Sequence, residues 1–480
     1  MSIVTVSSIY RLEPAMRRLV STAVLTAALC VSAALPASAG DRPPPADATP
    51  CLPSSSAQPV CTEGTLPDGT AYRFAVPRDW NRIVLVDLDF AAGGLESPLT
   101  ARLLERGFAR GGTTRLVTGW NIRRAIDNQA AALAAFTAAF GRVRWAIASS
   151  NSMGGFVSAG VAQVHPQRFD AAVAFCGGLS GSVAQWNQKL DTVHALKTLL
   201  FPDTTLPVTG IPADVPAAQR AWIGALGQAQ ATAPGRARIA LSAAVGQLPG
   251  WGVAPDGSPT PRPDPGDAAA VQEGMYLALA GGPLPYIGQA MSSRRQIEQV
   301  TGGNPSWNVG VDYARQWQAA RPEYRDAVRR LYRQAGLDLD ADLARLNAAP
   351  RTVADPAAVE RFAEGIVFTG RLRIPVLAVS NVGDQISTVA QQQSYEAIVR
   401  AHGNGRLLRQ SYVESAGHCA FTPAEQVAAI SVMVDRLRGG HWPDTGPRAM
   451  NARAAAVVPG GPAGRYIPFA PERFNRPFPG

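Results

Sequence analysis

The sequence is poor in lysine: of its 45 basic residues only Lys189 and Lys197 are lysines, and the others are arginines. The arginines give a formal net charge of +9, but they are scattered rather than gathered in the stripe that phosphate binding requires. Together with abundant alanine, glycine and proline, this usage is typical of a GC-rich coding sequence. We therefore expect no nucleic-acid partner.

Cysteine is also scarce, with five residues, and no C-x-x-C spacing indicates a zinc site. Cys30 lies in an apolar segment near the start of the chain, which leaves four cysteines for the mature protein. Cys51 and Cys61 enclose a short loop and are natural disulfide partners. That pairing would leave Cys176 and Cys419, either as a second bridge or as two unpaired, buried thiols.

Long apolar runs are absent apart from one near the start. Leu19 to Ala34 carries no charge, follows the basic Met16-Arg17-Arg18 and precedes the small residues Ala37-Ser38-Ala39. This is the pattern of a secretory signal, and the run is short for a membrane span. We expect residues 1–39 to be a signal peptide cleaved after Ala39 and residues 40–50 to be a linker. The protein should then be secreted or periplasmic, with no membrane span.

Short apolar strands alternate with helices in the first and last parts of the chain, as in R-I-V-L-V-D-L at 82–88. This order predicts an α/β fold with a mostly parallel sheet covered by helices on both faces. From 185 to 365 the pattern is helical, broken by proline- and glycine-rich joints. We predict a core of residues 51–184 and 366–480 with an inserted helical cap of residues 185–365. Cap helices are predicted near 185–200, 214–230, 236–247, 267–280, 288–300 and 322–347.

A sharp turn that carries a nucleophile usually reads G-x-S-x-G, and its first glycine is missing here. Residues 147–156 read I-A-S-S-N-S-M-G-G-F, with Ser150 in place of that glycine and Ser152 as the candidate nucleophile. The first position needs a small residue because the strained turn crowds a larger side chain, and serine is small. The strand, turn, helix and strand predicted around Ser152 are the context that such a turn needs.

A serine hydroxyl needs a base that takes its proton and an acid that orients the base. His418 lies in A-G-H-C-A-F-T, directly after the last predicted strand of the core, and Asp384 follows the strand before it in V-G-D-Q-I-S. The order serine, acid, histidine is that of the α/β-hydrolase fold. Glu414 is an alternative acid, less favoured because it lies so close to His418 in the sequence.

The oxyanion that forms during such a reaction needs backbone N–H donors. We expect one donor to be Met153, directly after the nucleophile, and the other to be Phe90, in the loop after the strand at 82–88.

These motifs resemble those of secreted α/β-hydrolase esterases over nearly all of the mature chain. The H-C pair at His418 and the large insertion are similar to the tannase and feruloyl esterase family, in which a cysteine before the nucleophile is bridged to the one after the histidine. Here Asn151 takes the place of that first cysteine, so Cys176 is the replacement partner open to Cys419. The calcium site in that family's lid is not expected, because D-L-D-A-D at 338–342 lacks the loop glycine and the distal glutamate and is better explained as a helix start.

The sequence thus predicts a serine hydrolase of the carboxylesterase type, acting on a small-molecule or polymeric ester without a metal or organic cofactor. A serine peptidase or aminopeptidase would use the same three residues, and a non-catalytic binding protein is a third alternative. Most aromatic residues of the cap should form its core, with one or two facing the substrate. They are Trp186, Trp222, Trp251, Tyr276, Tyr286, Trp307, Tyr313 and Trp317.

Overall fold

A computed structural model describes residues 49–50 and 59–479 of the chain. The proposed signal peptide at 1–39, most of the linker and Cys51 lie outside the described residues. The Cys51–Cys61 bridge therefore stays a prediction.

The described strands form one sheet in the order β1-β2-β3-β5-β4-β6-β7-β8-β9-β10. Strands β4 to β9 pair in parallel, and the strands at both ends pair antiparallel. Their bounds are β1 Thr49–Pro50, β2 Val60–Thr65, β3 Ala71–Val76, β4 Ile83–Leu88, β5 Ala109–Thr113, β6 Trp145–Asn151, β7 Ala171–Phe175, β8 Val376–Gly383, β9 Leu408–Ala416 and β10 Tyr466–Ile467.

Helices cover both faces of this sheet, and alternate residues of β4 show why. Val84 and Val86 belong to one apolar cluster, whereas Ile83 and Leu85 belong to another on the opposite face. The helices outside the β7–β8 connection are α1 Pro98–Leu104, α2 Ile122–Phe140, α3 Met153–Val164, α13 Val389–Ala401, α14 Pro423–Gly439 and α15 Pro447–Val457. The predicted fold class is confirmed: this is an α/β-hydrolase fold.

The connection from β7 to β8 is a helical insertion with an apolar cluster of its own, centred on side chains such as Trp222, Leu241 and Met275. Its helices are α4 Ser182–Leu200, α5 Val215–Gln230, α6 Ala233–Val245, α7 Ala268–Ala280, α8 Tyr286–Thr301, α9 Tyr313–Ala319, α10 Pro322–Gln334, α11 Leu339–Ala348 and α12 Pro356–Ala363. The helical character agrees with the sequence pattern, while the exact domain bounds stay a prediction.

Helices α9 and α12 lie outside the predicted cap helices. Two further differences have a clear physical reason. The single helix predicted at 322–347 is two helices, α10 and α11, because the chain turns at Gly336 with φ of +65°. Strand β5 was not predicted, since A-R-G-G-T has little strand propensity. Its glycines are needed by packing: a Cβ at Gly111 would lie 2.1 Å from the Phe74 ring, and one at Gly112 would lie 1.9 Å from a β4 carbonyl oxygen.

The segment after α15 packs on the rest of the molecule. Tyr466 and Phe474 are buried. Arg476 pairs with the buried Asp191 of α4, with Nη1 lying 2.7 Å from Oδ1, and its Nη2 donates to the Trp307 carbonyl at 2.7 Å. No helix in the described ranges combines the length and apolarity needed to cross a bilayer.

Candidate active site

Ser152 lies at the sharp turn between β6 and α3, with φ of 58° and ψ of −125°. A non-glycine residue in this region of φ and ψ is strained and is held by its surroundings. The Ser152 N–H donates to the Phe175 carbonyl of β7 at 3.0 Å. Gly155 lets α3 approach the same strand, because a Cβ there would meet the Phe175 carbonyl oxygen at 2.2 Å. The turn thus presents the hydroxyl of Ser152 at the carboxyl end of the sheet.

The structure brings the three predicted residues together. His418 Nε2 lies 2.7 Å from Ser152 Oγ, and His418 Nδ1 lies 2.9 and 3.0 Å from the two carboxylate oxygens of Asp384. Asp384 is buried and also accepts hydrogen bonds from the backbone N–H groups of Ile386 and Ser387. Glu414 forms an ion pair with Arg262 at 2.6 Å instead, so the alternative acid is occupied elsewhere. That this geometry is catalytic remains a prediction at this point.

A disulfide joins Cys176 and Cys419, with their Cα atoms 5.4 Å apart. Cys176 directly follows β7, and its Sγ accepts a hydrogen bond from the Ser152 N–H at 3.2 Å. Cys419 lies next to His418, so the bridge ties the histidine loop to the strand beside the nucleophile. Asn151, at the position where the resembled family has a cysteine, instead accepts a hydrogen bond from Gln426 at 2.9 Å. The bridge with Cys176 is the arrangement that the sequence left open.

The two expected oxyanion donors lie at the start of α3 and in the loop after β4. Met153 is the first residue of α3, so its N–H has no acceptor within the helix. Phe90 begins a single 3₁₀ turn after Asp89, which has φ of 80°. The Asp89 carboxylate forms an ion pair with Arg115, which holds this loop near the end of β5. The roles of Met153 and Phe90 stay predictions.

A buried polar network below the turn was not found from the sequence. Ser150 donates a hydrogen bond to Asp87 of β4, and the other oxygen of this carboxylate accepts from Arg110 of β5 at 2.6 Å. Burial raises the pKa of Asp87, whereas Arg110 and then Ser150 lower it. In the sequence, this network is indicated by the acidic residue Asp87 inside the otherwise apolar strand R-I-V-L-V-D-L. Because Ser150 donates to Asp87, the serine in place of the usual glycine has a specific partner.

A buried lysine beside Asp384 was also missed. Lys189 of α4 donates from Nζ to the Ile386 carbonyl at 3.0 Å and lies 4.4 Å from the centre of the Tyr286 ring. Burial lowers the pKa of Lys189 from 10.5 to about 7, although the carboxylate of Asp384 raises it. The scarcity of lysine in the sequence was the signal, since one of only two lysines lies here.

A cavity of about 230 Å³ opens beside Ser152. Its apolar side chains include Trp120, Phe156 and Ile386, and Arg115 also lines it. None of the eight cap aromatics borders this cavity in the described part of the chain, although Trp251 lines a neighbouring cavity together with Asp384. The expectation that one or two of them face the substrate therefore stays a prediction. Others pack in the interior: Trp222, for example, is fully buried in the apolar cluster of the helical insertion.

The acidic run at 338–342 is a helix start, as predicted. Asp338 caps α11 by accepting from the Ala341 N–H at 3.0 Å, and Asp342 pairs with Arg238 at 2.8 Å.

No family model matches the sequence. The chain is 34% identical over 427 residues to "o-phthalyl amidase" of Xanthobacter agilis, an alignment that covers 82% of this chain and 90% of the relative. Among solved structures it is similar to feruloyl esterase B from Aspergillus oryzae, with 14% identity, a TM-score of 0.39 and coverage of 84% and 85%. It is also similar to the cell wall degrading esterase LipA from Xanthomonas oryzae, with 10% identity, a TM-score of 0.34 and coverage of 79% and 87%.

Proposed function

The chain belongs to the family of o-phthalyl amidase. We propose that it is a serine hydrolase that cleaves amides of aromatic carboxylic acids of the o-phthalyl type. The observation that carries the proposal is the row of three side chains in which Asp384, His418 and Ser152 are joined by contacts of 2.9 and 2.7 Å. We propose amides rather than the esters expected from the sequence as the main substrates, because the relative is an amidase. Esters of the same acids remain substrates, since the same groups attack either carbonyl.

In the proposed reaction the Ser152 oxygen attacks the amide carbonyl carbon while His418 Nε2 takes the hydroxyl proton. The C–N bond then breaks, and the amine leaves with the proton that His418 returns. Water attacks the acyl-enzyme in the same way, which releases the carboxylic acid and restores Ser152. Overall, one amide and one water give one acid and one amine, with no metal or organic cofactor in any step.

The other groups of the site have supporting roles in this proposal. Asp384 orients His418 and stabilises its protonated form, which a buried carboxylate held by two backbone N–H groups can do without moving. The N–H groups of Met153 and Phe90 stabilise the negative oxygen of the tetrahedral intermediate.

We place the reaction outside the cytoplasm. The Cys176–Cys419 bridge supports this location, because disulfides persist mainly in oxidising compartments. The signal pattern at 1–39, which the structure does not describe, points the same way.

The first experiment measures hydrolysis of 2-carboxybenzoyl 4-nitroanilide and of the matching 4-nitrophenyl ester by the wild type and by Ser152→Ala. Loss of the nucleophile should lower kcat by about 10⁴-fold or more on both substrates. Ser149→Ala is the matched control, because Ser149 lies in β6 but outside the row of three side chains. Activity of Ser152→Ala within tenfold of the wild type would refute the proposed nucleophile.

The same assay decides between the remaining alternatives. An aminopeptidase would release nitroaniline from aminoacyl 4-nitroanilides faster than from the 2-carboxybenzoyl substrate. A binding protein without catalysis would hydrolyse none of these compounds and would not react with a fluorophosphonate probe.

A further inference from the structure

We infer that Arg115 binds a carboxylate on the acyl part of the substrate and so selects o-phthalyl amides over simple benzoyl amides. The inference rests on the proposed function and adds to it the residue that recognises the second carboxyl group. In an o-phthalyl amide this group is on the ring carbon next to the one that bears the scissile carbonyl. A cation that recognises it must therefore share a small cavity with the nucleophile.

Arg115 meets this requirement. It lies two residues after β5 and lines the cavity of about 230 Å³ that also exposes Ser152. Among the described residues that line this cavity, Arg115 is the only one with a charged side chain. The cavity is below the ~300–1,000 Å³ of sites for drug-sized ligands, which suits a single aromatic acyl group.

The guanidinium has donors left for a ligand. Its Nε and Nη2 atoms are used by Asp89, with Nε lying 2.9 and 2.8 Å from the two carboxylate oxygens. Nη1 makes no hydrogen bond to any residue in the described ranges. The edge formed by Nη1 and Nη2 can therefore face a second carboxylate, in the paired geometry that arginine offers such groups. The side chain lines the cavity and is 34% exposed.

One part of the cavity lining complements an aromatic ring, while the remaining side chains are mostly serine and glutamine. Trp120 and Phe156 supply aromatic surface, and Leu284 and Ile386 supply aliphatic surface. An aromatic ring against these side chains would bring one carbonyl to Ser152 while the neighbouring carboxylate meets Arg115.

A purely structural role for Arg115 makes a different prediction. Arg115 also donates from its backbone N–H to Asp89 at 3.2 Å, and Asp89 precedes the expected oxyanion donor Phe90. If Arg115 only held this loop, its loss would slow every substrate by the same factor. The selectivity between a charged and an uncharged acyl group separates the two roles.

The experiment compares kcat/KM for 2-carboxybenzoyl 4-nitroanilide and benzoyl 4-nitroanilide in the wild type, Arg115→Gln and Arg115→Lys. We expect the ratio of the two values to fall by about 10- to 100-fold in Arg115→Gln, the range of one lost hydrogen-bonded charge pair. Arg115→Lys should give an intermediate ratio, because lysine keeps the charge but loses the planar fork. Arg123→Gln is the matched control: it breaks an arginine–aspartate pair on α2, away from the cavity, and should leave the ratio unchanged.

A second readout does not depend on turnover. Phthalate should bind the Ser152→Ala protein in a calorimetric titration, and adding Arg115→Gln should weaken this binding at least tenfold. An unchanged substrate ratio in Arg115→Gln, with both rates lowered alike, would overturn the inference and assign Arg115 to the loop. That result would leave the proposed function standing, whereas an active Ser152→Ala protein would refute the nucleophile without touching the selectivity of Arg115.

Discussion

Replacing Ser150 with glycine would restore the usual G-x-S-x-G form of the nucleophile turn, and we expect this change to destabilise the protein. The Ser150 hydroxyl donates to the buried carboxylate of Asp87 in the adjacent strand β4. In Ser150→Gly the oxygen that accepts this bond loses its partner, while the other keeps Arg110. Water would solvate the freed oxygen poorly, since Asp87 is only 7% exposed.

The size of the effect follows from two contributions. A buried hydrogen bond to a charged group contributes about 1.5–3 kcal/mol to the free energy of unfolding. A glycine inside a strand costs roughly 0.5–1 kcal/mol more, because the unfolded chain gains freedom. We therefore expect Ser150→Gly to lower the free energy of unfolding by about 2–4 kcal/mol.

Urea unfolding followed by tryptophan fluorescence measures this difference, with the disulfide kept intact. Ser149→Gly is the matched control: it introduces a glycine at the neighbouring position of β6, where the hydroxyl has no carboxylate partner, and should cost only roughly 0.5–1 kcal/mol. Equal losses in the two variants would refute the reasoning, since the bond to Asp87 would then contribute nothing.

Three further changes test the site and its surroundings. The double variant Cys176→Ala/Cys419→Ala removes a bridge between residues 243 positions apart. The chain-entropy relation gives a loss of about 5 kcal/mol in the free energy of unfolding, and kcat should fall because the histidine loop is released. An unchanged urea midpoint and an unchanged kcat would contradict this. Lys189→Met should flatten the pH dependence of the free energy of unfolding, because the folded-state pKa of about 7 lies below the unfolded value of 10.5. As the pH rises from about 7 to about 10, the wild type should gain about 1.4 kcal/mol of stability per pH unit over the variant. Parallel plots of unfolding free energy against pH for the two proteins would be incompatible with a neutral lysine. Asp384→Asn should lower kcat by about 10⁴-fold while Glu414→Gln stays within twofold of the wild type; the reverse order would identify Glu414 as the acid.

Local sequence patterns were sufficient for the parts of the fold that carry the site. The apolar runs at β4 and β6, followed at once by a loop or turn, predict strands of a buried parallel sheet. Because the carboxyl ends of such strands share one edge, the order of Ser152, Asp384 and His418 along the chain was enough to predict their meeting.

Features that depend on distant partners could not be predicted in this way. Strand β5 has no apolar alternation, and it is a strand because Gly111 and Gly112 let it fit beside Phe74 and β4. The ion pair of Asp87 and Arg110 joins residues on two strands whose pairing the sequence did not reveal. Likewise, the cap aromatics could not be divided between the packed interior and the substrate wall without knowing which helices face the cavity.

The ion pair between Arg476 and Asp191 has a consequence for the time course of biosynthesis. Residue 476 is translated 285 residues after Asp191, which at ~5–20 residues per second means a delay of about 15–60 s. During this interval α4 holds a carboxylate whose buried cation has not yet been made. A ribosome stalled in between would carry a nascent chain in which the helical insertion cannot complete its interior.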